Sequence, residues 1–380
     1  MFFADLLTPF VWFYHYILPY LILITPIVFF HELGHFSVAR ACGVRVETFS
    51  IGFGPAIASW LDRKGTRWKV CWIPIGGYVR FFGDMDAASS PDHETIQKMS
   101  AAERAVAFPF KPLYQRAMVV AAGPVANFVL ALVVLTGLLL AFGKAVSLPI
   151  VVTVTKGGPA AAAGIRPGDI VTQIDDTKIH SFDDIPAYLW VRPVEPLTVT
   201  VERDGKPLAF RVVPQVMSIK DQLGEIHHVP ALGISTKISR QTVRIIRYGP
   251  IGAVAEAGNE IGDIVTSTFG YLGRVVTGQV GATELHGPVG MADISQKVAS
   301  ISFLALVNLA ALISVSIGLV NLFPIPILDG GHLLYYACEA VLGRPLGARA
   351  QDVGFRLGLA VVLGLFVFLT WNDLVRLNLF

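Results

Sequence analysis

Four stretches of this chain are too long and too apolar to be surface helices of a soluble domain. They cover about residues 10–38, 118–142, 301–322 and 355–371. A helix that crosses a bilayer needs roughly 20 mostly apolar residues, and each run is long enough or nearly so. Only 15% of the chain is charged, against about 25% in soluble domains, and the shortfall is concentrated in these four runs. The expectation is a multi-pass α-helical membrane protein with four transmembrane helices. The first run has no basic start and no small-residue cleavage site, so it reads as a retained anchor and not a cleaved signal. A net charge of +2 provides no bulk field for nucleic acid, so that partner class is set aside. Cys42, Cys71 and Cys338 are scattered, with neither a zinc-like spacing nor a disulfide framework.

Orientation follows from lysine and arginine, which favour the cytoplasmic side. No basic residue precedes the first run, whereas Arg40, Arg45, Arg63, Lys64, Arg67, Lys69 and Arg80 follow it. That side is expected to be cytoplasmic, with both chain ends outside. Arg344 and Arg349 mark the second inside loop.

The first run ends in His31-Glu32-Leu33-Gly34-His35. On a helix, residues four apart share a face. Two imidazoles so placed can bind one zinc ion, with Glu32 beside them as general base. Ionisable groups within a membrane helix are costly and usually functional, which separates this HExxH from a chance match. Catalytic zinc takes three protein ligands and leaves a position for water. The third is sought in Asn321-Leu322-Phe323-Pro324-Ile325-Pro326-Ile327-Leu328-Asp329-Gly330-Gly331. Asp329 follows the third apolar run and so matches the depth of His35. Prolines and glycines break the helix there, which membranes tolerate where backbone is buried in protein or lines a cavity. An aspartate at such a place is also a common helix cap. His332 stands three residues on, as a partner of a ligand or as a fourth ligand.

Residues 44–83 are rich in β-formers, with Gly52, Gly54, Gly76 and Gly77 at expected turns between strand pairs at 44–53 and 68–82. A strand edge near the metal would suit a protease, because a helical substrate hides its backbone in internal hydrogen bonds and must be held extended. Residues 84–111, including Pro91 and His93, read as a loose polar loop. Residues 197–203 and 208–213 read as strands joined by a tight Asp204-Gly205 turn. Residues 238–283 read as amphipathic, and His286-Gly287-Pro288-Val289-Gly290 is given no chemistry.

With HELGH at 31–35, Gly123-Pro124-Val125-Ala126-Asn127-Phe128 in the second run and NLFPIPILDGG at 321–331, the sequence resembles the site-2 protease family of intramembrane zinc metalloproteases. Within that family it is most similar to the bacterial regulators of sigma-E. Residues 158–171 resemble the core of bacterial PDZ domains, and Ala231-Leu232-Gly233-Ile234 resembles their carboxylate-binding loop. The resemblance implies Zn2+ held by His31, His35 and Asp329, and Glu32 activating water. It also implies Asn321 and Asn127 as substrate-binding positions.

The implied layout is the first transmembrane helix in 1–43, a cytoplasmic membrane-associated β-loop in 44–112 and the second helix in 113–143. One inserted PDZ-like α+β domain follows in 148–236 and an amphipathic segment in 237–299. The third helix with the LDG motif occupies 300–337, and a cytoplasmic loop with the fourth helix 338–380. The resemblance further implies a bacterial inner membrane, with the PDZ-like domain on the periplasmic side and the active site near the cytoplasm. The expected substrates are single-span membrane proteins, either anti-sigma factors at their second cut or remnant signal peptides. A metal transporter and a non-catalytic scaffold are the rival classes; the first gives Glu32 no task and the second gives the ligand set none.

Overall fold

The computed structural model describes residues 13–83, 98–190, 194–220, 226–237, 242–278 and 285–377. His93 and Pro91 lie outside the described residues. Four helices are long and apolar enough to cross a membrane: Tyr14–Ala41, Leu113–Phe142, Phe303–Asn321 and Arg349–Arg376. These correspond to the four apolar runs. The chain divides into two compact units, one made of residues 1–135, 257–268 and 275–380, the other of 136–256 and 269–274.

In the first unit, helix α1 (Leu18–Ala41) leads into a long hairpin of β1 (Val46–Leu61) and β2 (Arg67–Phe81). The sequence suggested two strand pairs with glycine turns; the structure has one antiparallel pair with repeated register shifts. Gly52, Gly54 and Gly76 sit at these irregularities with φ of +84°, +86° and +94°, a left-handed backbone that a bulge requires as readily as a turn does. The turn falls instead at Asp62–Thr66, where the Asp62 carboxylate accepts from the amides of Lys64 and Thr66 at 2.9 and 3.0 Å. The base of the hairpin packs on α1 through Phe36, Phe49 and Trp68, with Phe49 stacked on Trp68 at 4.4 Å. Beyond that core Ile57, Trp60, Leu61 and Trp72 are exposed. Pro74 reaches back to α1, accepting a hydrogen bond from the Thr25 hydroxyl at 2.8 Å.

Part of the expected loose loop is ordered. Helix α2 (Ala101–Val106) begins with a capping box between Ser100 and Glu103, a four-residue signal that satisfies two otherwise unpaired amides. Helix α3 (Leu113–Phe142) crosses α1 closely: a Cβ on Gly34 would lie 2.7 Å from the Ala126 Cβ. Small residues permit such approach between membrane helices.

In the second unit, β3 (Lys144–Ser147) pairs with β12 (Val243–Ile246), a contact that the amphipathic reading of 238–283 missed. Between them lie β4 (Thr153–Val154), α4 (Pro159–Ala163), β5 (Ile170–Ile174), β6 (Thr177–Lys178), α5 (Asp184–Trp190), β7 (Leu197–Arg203), β8 (Lys206–Val212), β9 (Gln215–Lys220), β10 (Ile226–Ala231) and β11 (Ile234–Ser235). The main sheet has the order β6-β5-β7-β8, and β11 pairs with β4. Asp204 and Gly205 turn β7 into β8 with φ of +51° and +73°, as their type I′ signature requires. Val171, Ile174, Val199 and Val201 are fully buried beneath α5, and Asp169 is clamped by Arg203 at 2.6 Å.

Helix α6 (Pro250–Val276) occupies most of the amphipathic stretch. Helix α7 (Pro288–Ile301) precedes α8 (Phe303–Asn321), and α9 (Asp329–Leu342) and α10 (Ala348–Arg376) complete the chain. The boundary expected after residue 337 falls inside α9, because the helix breaks before Asp329 and then runs on. The HGPVG segment is structural: the buried Asp373 carboxylate accepts from the Gly287 and Gly290 amides at 3.0 and 2.7 Å, and so satisfies the start of α7.

Candidate metal centre

His31 and His35 stand one turn apart near the C-terminal end of α1, and their Nε2 atoms are 3.2 Å apart. Asp329 Oδ2 faces them from α9, 3.2 Å from His31 Nε2 and 3.4 Å from His35 Nε2. The segment 322–328 delivers it there. Gly330 and Gly331 lie against the carbonyls of Leu322, Phe323 and Ile325, where any Cβ would collide, so α9 can start only because both are glycine. Asp329 is not used as a cap. Leu328 is the N-cap and its side chain makes no capping bond, while Asp329 Oδ2 is buried without a hydrogen bond.

A zinc ion fits these residues. Zinc-to-ligand distances of about 2.0–2.1 Å in a tetrahedron imply ligand-to-ligand edges of roughly 3.3–3.4 Å. The three donor atoms already form such a triangle, and the orphaned carboxylate oxygen is one of its corners. Among the described residues these three are the group of histidine, cysteine and acidic side chains whose donors converge. His35 Nδ1 lies 2.8 Å from the Val119 carbonyl. A carbonyl only accepts, so Nδ1 carries the proton and Nε2 has its lone pair free.

A cavity of about 240 Å³ opens on the triangle, lined among others by Glu32, Val79, Asn321, Leu328, His332 and Tyr336. The Val79 amide of β2 lies close to the Glu32 carboxylate. Gly77 lies beside it: a Cβ there would make ordinary contact with Glu32 Cγ at 3.4 Å, but would collide with the Ser50 carbonyl at 2.6 Å. Glu32, Asn321 and His332 therefore share one cavity with the donor triangle. Asn127 does not join them. Its side chain is fully buried, with Nδ2 3.3 Å from His31 Nδ1. Gly123, named in the sequence only as part of a motif, has a packing role: its position leaves no room for a Cβ beside His35 and only 2.8 Å to His31 Nε2. Its sequence signals were its place at the head of the Gly123–Phe128 motif and its four-residue spacing from Val119 and Asn127.

A cavity with converging metal donors and an adjacent carboxylate, in a unit with membrane-length helices, is the arrangement that a membrane-embedded metallopeptidase needs. Comparison with known sequences gives the family. Residues 19–365 match the model of peptidase family M50, and the chain belongs to that family, the site-2 type of membrane-embedded zinc metalloprotease. "Putative zinc metalloprotease Atu1380" of Agrobacterium fabrum is 47% identical over 95% of this chain and 96% of its own length. Metalloprotease MmpA of Caulobacter vibrioides is 40% identical over 95% of both chains. A solved PDZ domain of an SdrC-like protein from Listeria monocytogenes covers 23% of this chain and 83% of its own at 22% identity, with a TM-score of 0.19; at that score the likeness says nothing of this chain's second unit.

Proposed function

We propose that this metalloprotease hydrolyses a peptide bond in or next to the membrane segment of single-span proteins. Its zinc is held by His31, His35 and Asp329, and Glu32 is the catalytic base. The observation that carries this reading is the donor triangle at tetrahedral-edge spacing, with Glu32 in the same cavity. Zinc, when bound, supplies Lewis-acid polarisation of the scissile carbonyl and makes water acidic enough to lose a proton near pH 7. Glu32 takes that proton and passes it to the leaving amine. The Val79 amide orients the Glu32 carboxylate. Asn321, which lines the same cavity, offers a hydrogen bond to the substrate backbone.

The unwound substrate lies along β2. The hairpin sheet consists of β1 and β2 among the described residues, and Val79 and Phe81 of β2 line the cavity, so β2 has an edge that β1 does not pair. Strand addition there supplies main-chain hydrogen bonds in place of those lost on unwinding. The exposed apolar half of the hairpin is read as lying in the membrane interface. The basic residues after α1 favour a cytoplasmic position for the site, with the second unit outside as a PDZ-like domain. By resemblance, the membrane is the bacterial inner membrane, and the substrates are anti-sigma factors already clipped outside or remnant signal peptides.

The test is Glu32→Gln in vesicles containing a single-span substrate. Cleavage should fall by about 10²–10⁴-fold with zinc content unchanged. Cleavage at the wild-type rate would end the proposal.

A further inference from the structure

We infer that Asn127 is a positioning residue for the metal. From α3 its amide oxygen accepts the Nδ1 proton of His31 and thereby turns the Nε2 lone pair of that ring toward the ion. The inference rests on His31 being a zinc ligand, as proposed above.

Two defects meet at the Asn127 carboxamide. With Asn127 Nδ2 directed at His31 Nδ1, 3.3 Å away, the amide donates and the ring must carry its proton on Nε2. That atom faces Asp329 Oδ2 and His35 Nε2 at 3.2 Å each, so protonating it blocks the site. At the same time Asn127 Oδ1 is buried without a partner. The two ends of a carboxamide are nearly indistinguishable in shape and exchange by a half-turn. After that half-turn Oδ1 accepts from Nδ1–H, and Nε2 of His31 becomes a free donor to metal. The place Oδ1 leaves has no hydrogen-bond donor within reach.

His35 already has this arrangement, with the Val119 carbonyl in the part of Asn127. Val119, Gly123 and Asn127 recur every four residues and so lie along one face of α3. The outer two hold one imidazole each, and the glycine between them leaves space for both rings. Asn127 is itself fixed: Ser314 of α8 donates to its main-chain oxygen at 2.9 Å, and the Gly318 backbone packs against its Cβ. Metal-binding histidines are commonly held through their second ring nitrogen, and removing such a partner costs 10–100-fold in affinity or activity.

The full-length protein is purified in detergent as wild type, Asn127→Ala, Asn127→Asp and His31→Ala. Zinc affinity is read by competition with a chelator, and ligand geometry by the visible spectrum of the cobalt-loaded forms. Asn127→Ala should bind zinc about 10–100-fold more weakly with an altered cobalt spectrum. Asn127→Asp, whose carboxylate accepts the same proton, should remain within about 3-fold of wild type, on the same account of the second ring nitrogen. Wild-type affinity in Asn127→Ala, or equal weakness in the alanine and aspartate variants, overturns the inference. Zinc retained by His31→Ala would instead overturn the ligand assignment beneath it. Should Asn127→Ala not fold, Asn127→Leu, of similar volume and without an acceptor, takes its place in the comparison.

Discussion

Arg116 clasps Glu339 through both guanidinium nitrogens, at 3.2 and 2.5 Å, and so ties the start of α3 to α9. The same guanidinium lies 4.9 Å from the centre of the Tyr336 ring, which lines the cavity. Since α3 carries Val119 and α9 carries Asp329, the pair braces two sides of the metal centre. Both side chains are largely buried, and removing one partner leaves the other charge uncompensated, at a cost of about 3 kcal/mol or more. Glu339→Ala should lower the thermal midpoint of the detergent-solubilised protein more than the double change Arg116→Met with Glu339→Leu. Equal or greater loss in the double variant would show that the pair is not a brace.

Gly123→Ala separates two effects of opposite sign. Alanine favours a helix over glycine by about 1 kcal/mol, so α3 alone would gain. The added methyl would press on both zinc-facing nitrogens of His31 and His35. We expect intact helicity by circular dichroism and at least about a 10-fold loss of zinc affinity, the scale seen when metal-ligand supports are disturbed. Unchanged affinity would refute the packing argument.

The hairpin turn should carry an acid-sensitive lock. Burial pushes the Asp62 carboxyl up, but the Thr66 amide, the Trp68 indole, the Lys64 amide and Arg40 outweigh it and hold the group at about 2, below the ordinary 3.8. A depressed carboxylate stabilises the fold fully above its unfolded value and loses that contribution as pH falls toward its folded one. Tryptophan fluorescence of the hairpin should therefore begin to change between about pH 4 and pH 2. Asp62→Asn should remove that dependence; an identical acid transition in the variant would assign it elsewhere.

Deleting residues 150–235 spares β3 and β12, whose ladder from Lys144↔Ile246 to Ser147↔Val243 closes the base of the second unit. If that unit excludes substrates with bulky outside domains, the deletion should cleave untrimmed single-span proteins that the full chain refuses. Gel analysis of trimmed and untrimmed substrates reads this directly, and unaltered selectivity would leave the unit as a spacer.

Much of the architecture was legible because its signals are local. Apolar run length gave the four helices long and apolar enough to cross a membrane, and the four-residue step from His31 to His35 gave a shared face. Depth along the membrane singled out Asp329. What escaped depends on partners distant in sequence. Gly52, Gly54 and Gly76 look alike as turn or bulge residues until the opposite strand is known. The β3–β12 pair joins segments about a hundred residues apart, too short and polar to announce each other. Asn127 was visible as a polar residue in an apolar helix, but only the crossing of α3 over α1 reveals that its neighbour is His31. The Ser100–Glu103 capping box was readable and was passed over within a polar stretch.

His31 and His35 leave the ribosome early, whereas Asp329 follows only after the second unit and α8 have been made. Until α9 seats Asp329 against α1, the donor triangle proposed to hold zinc lacks its third corner. On that proposal the site forms only after the second unit and α8 have been made, and the half-made chain has no means to cut.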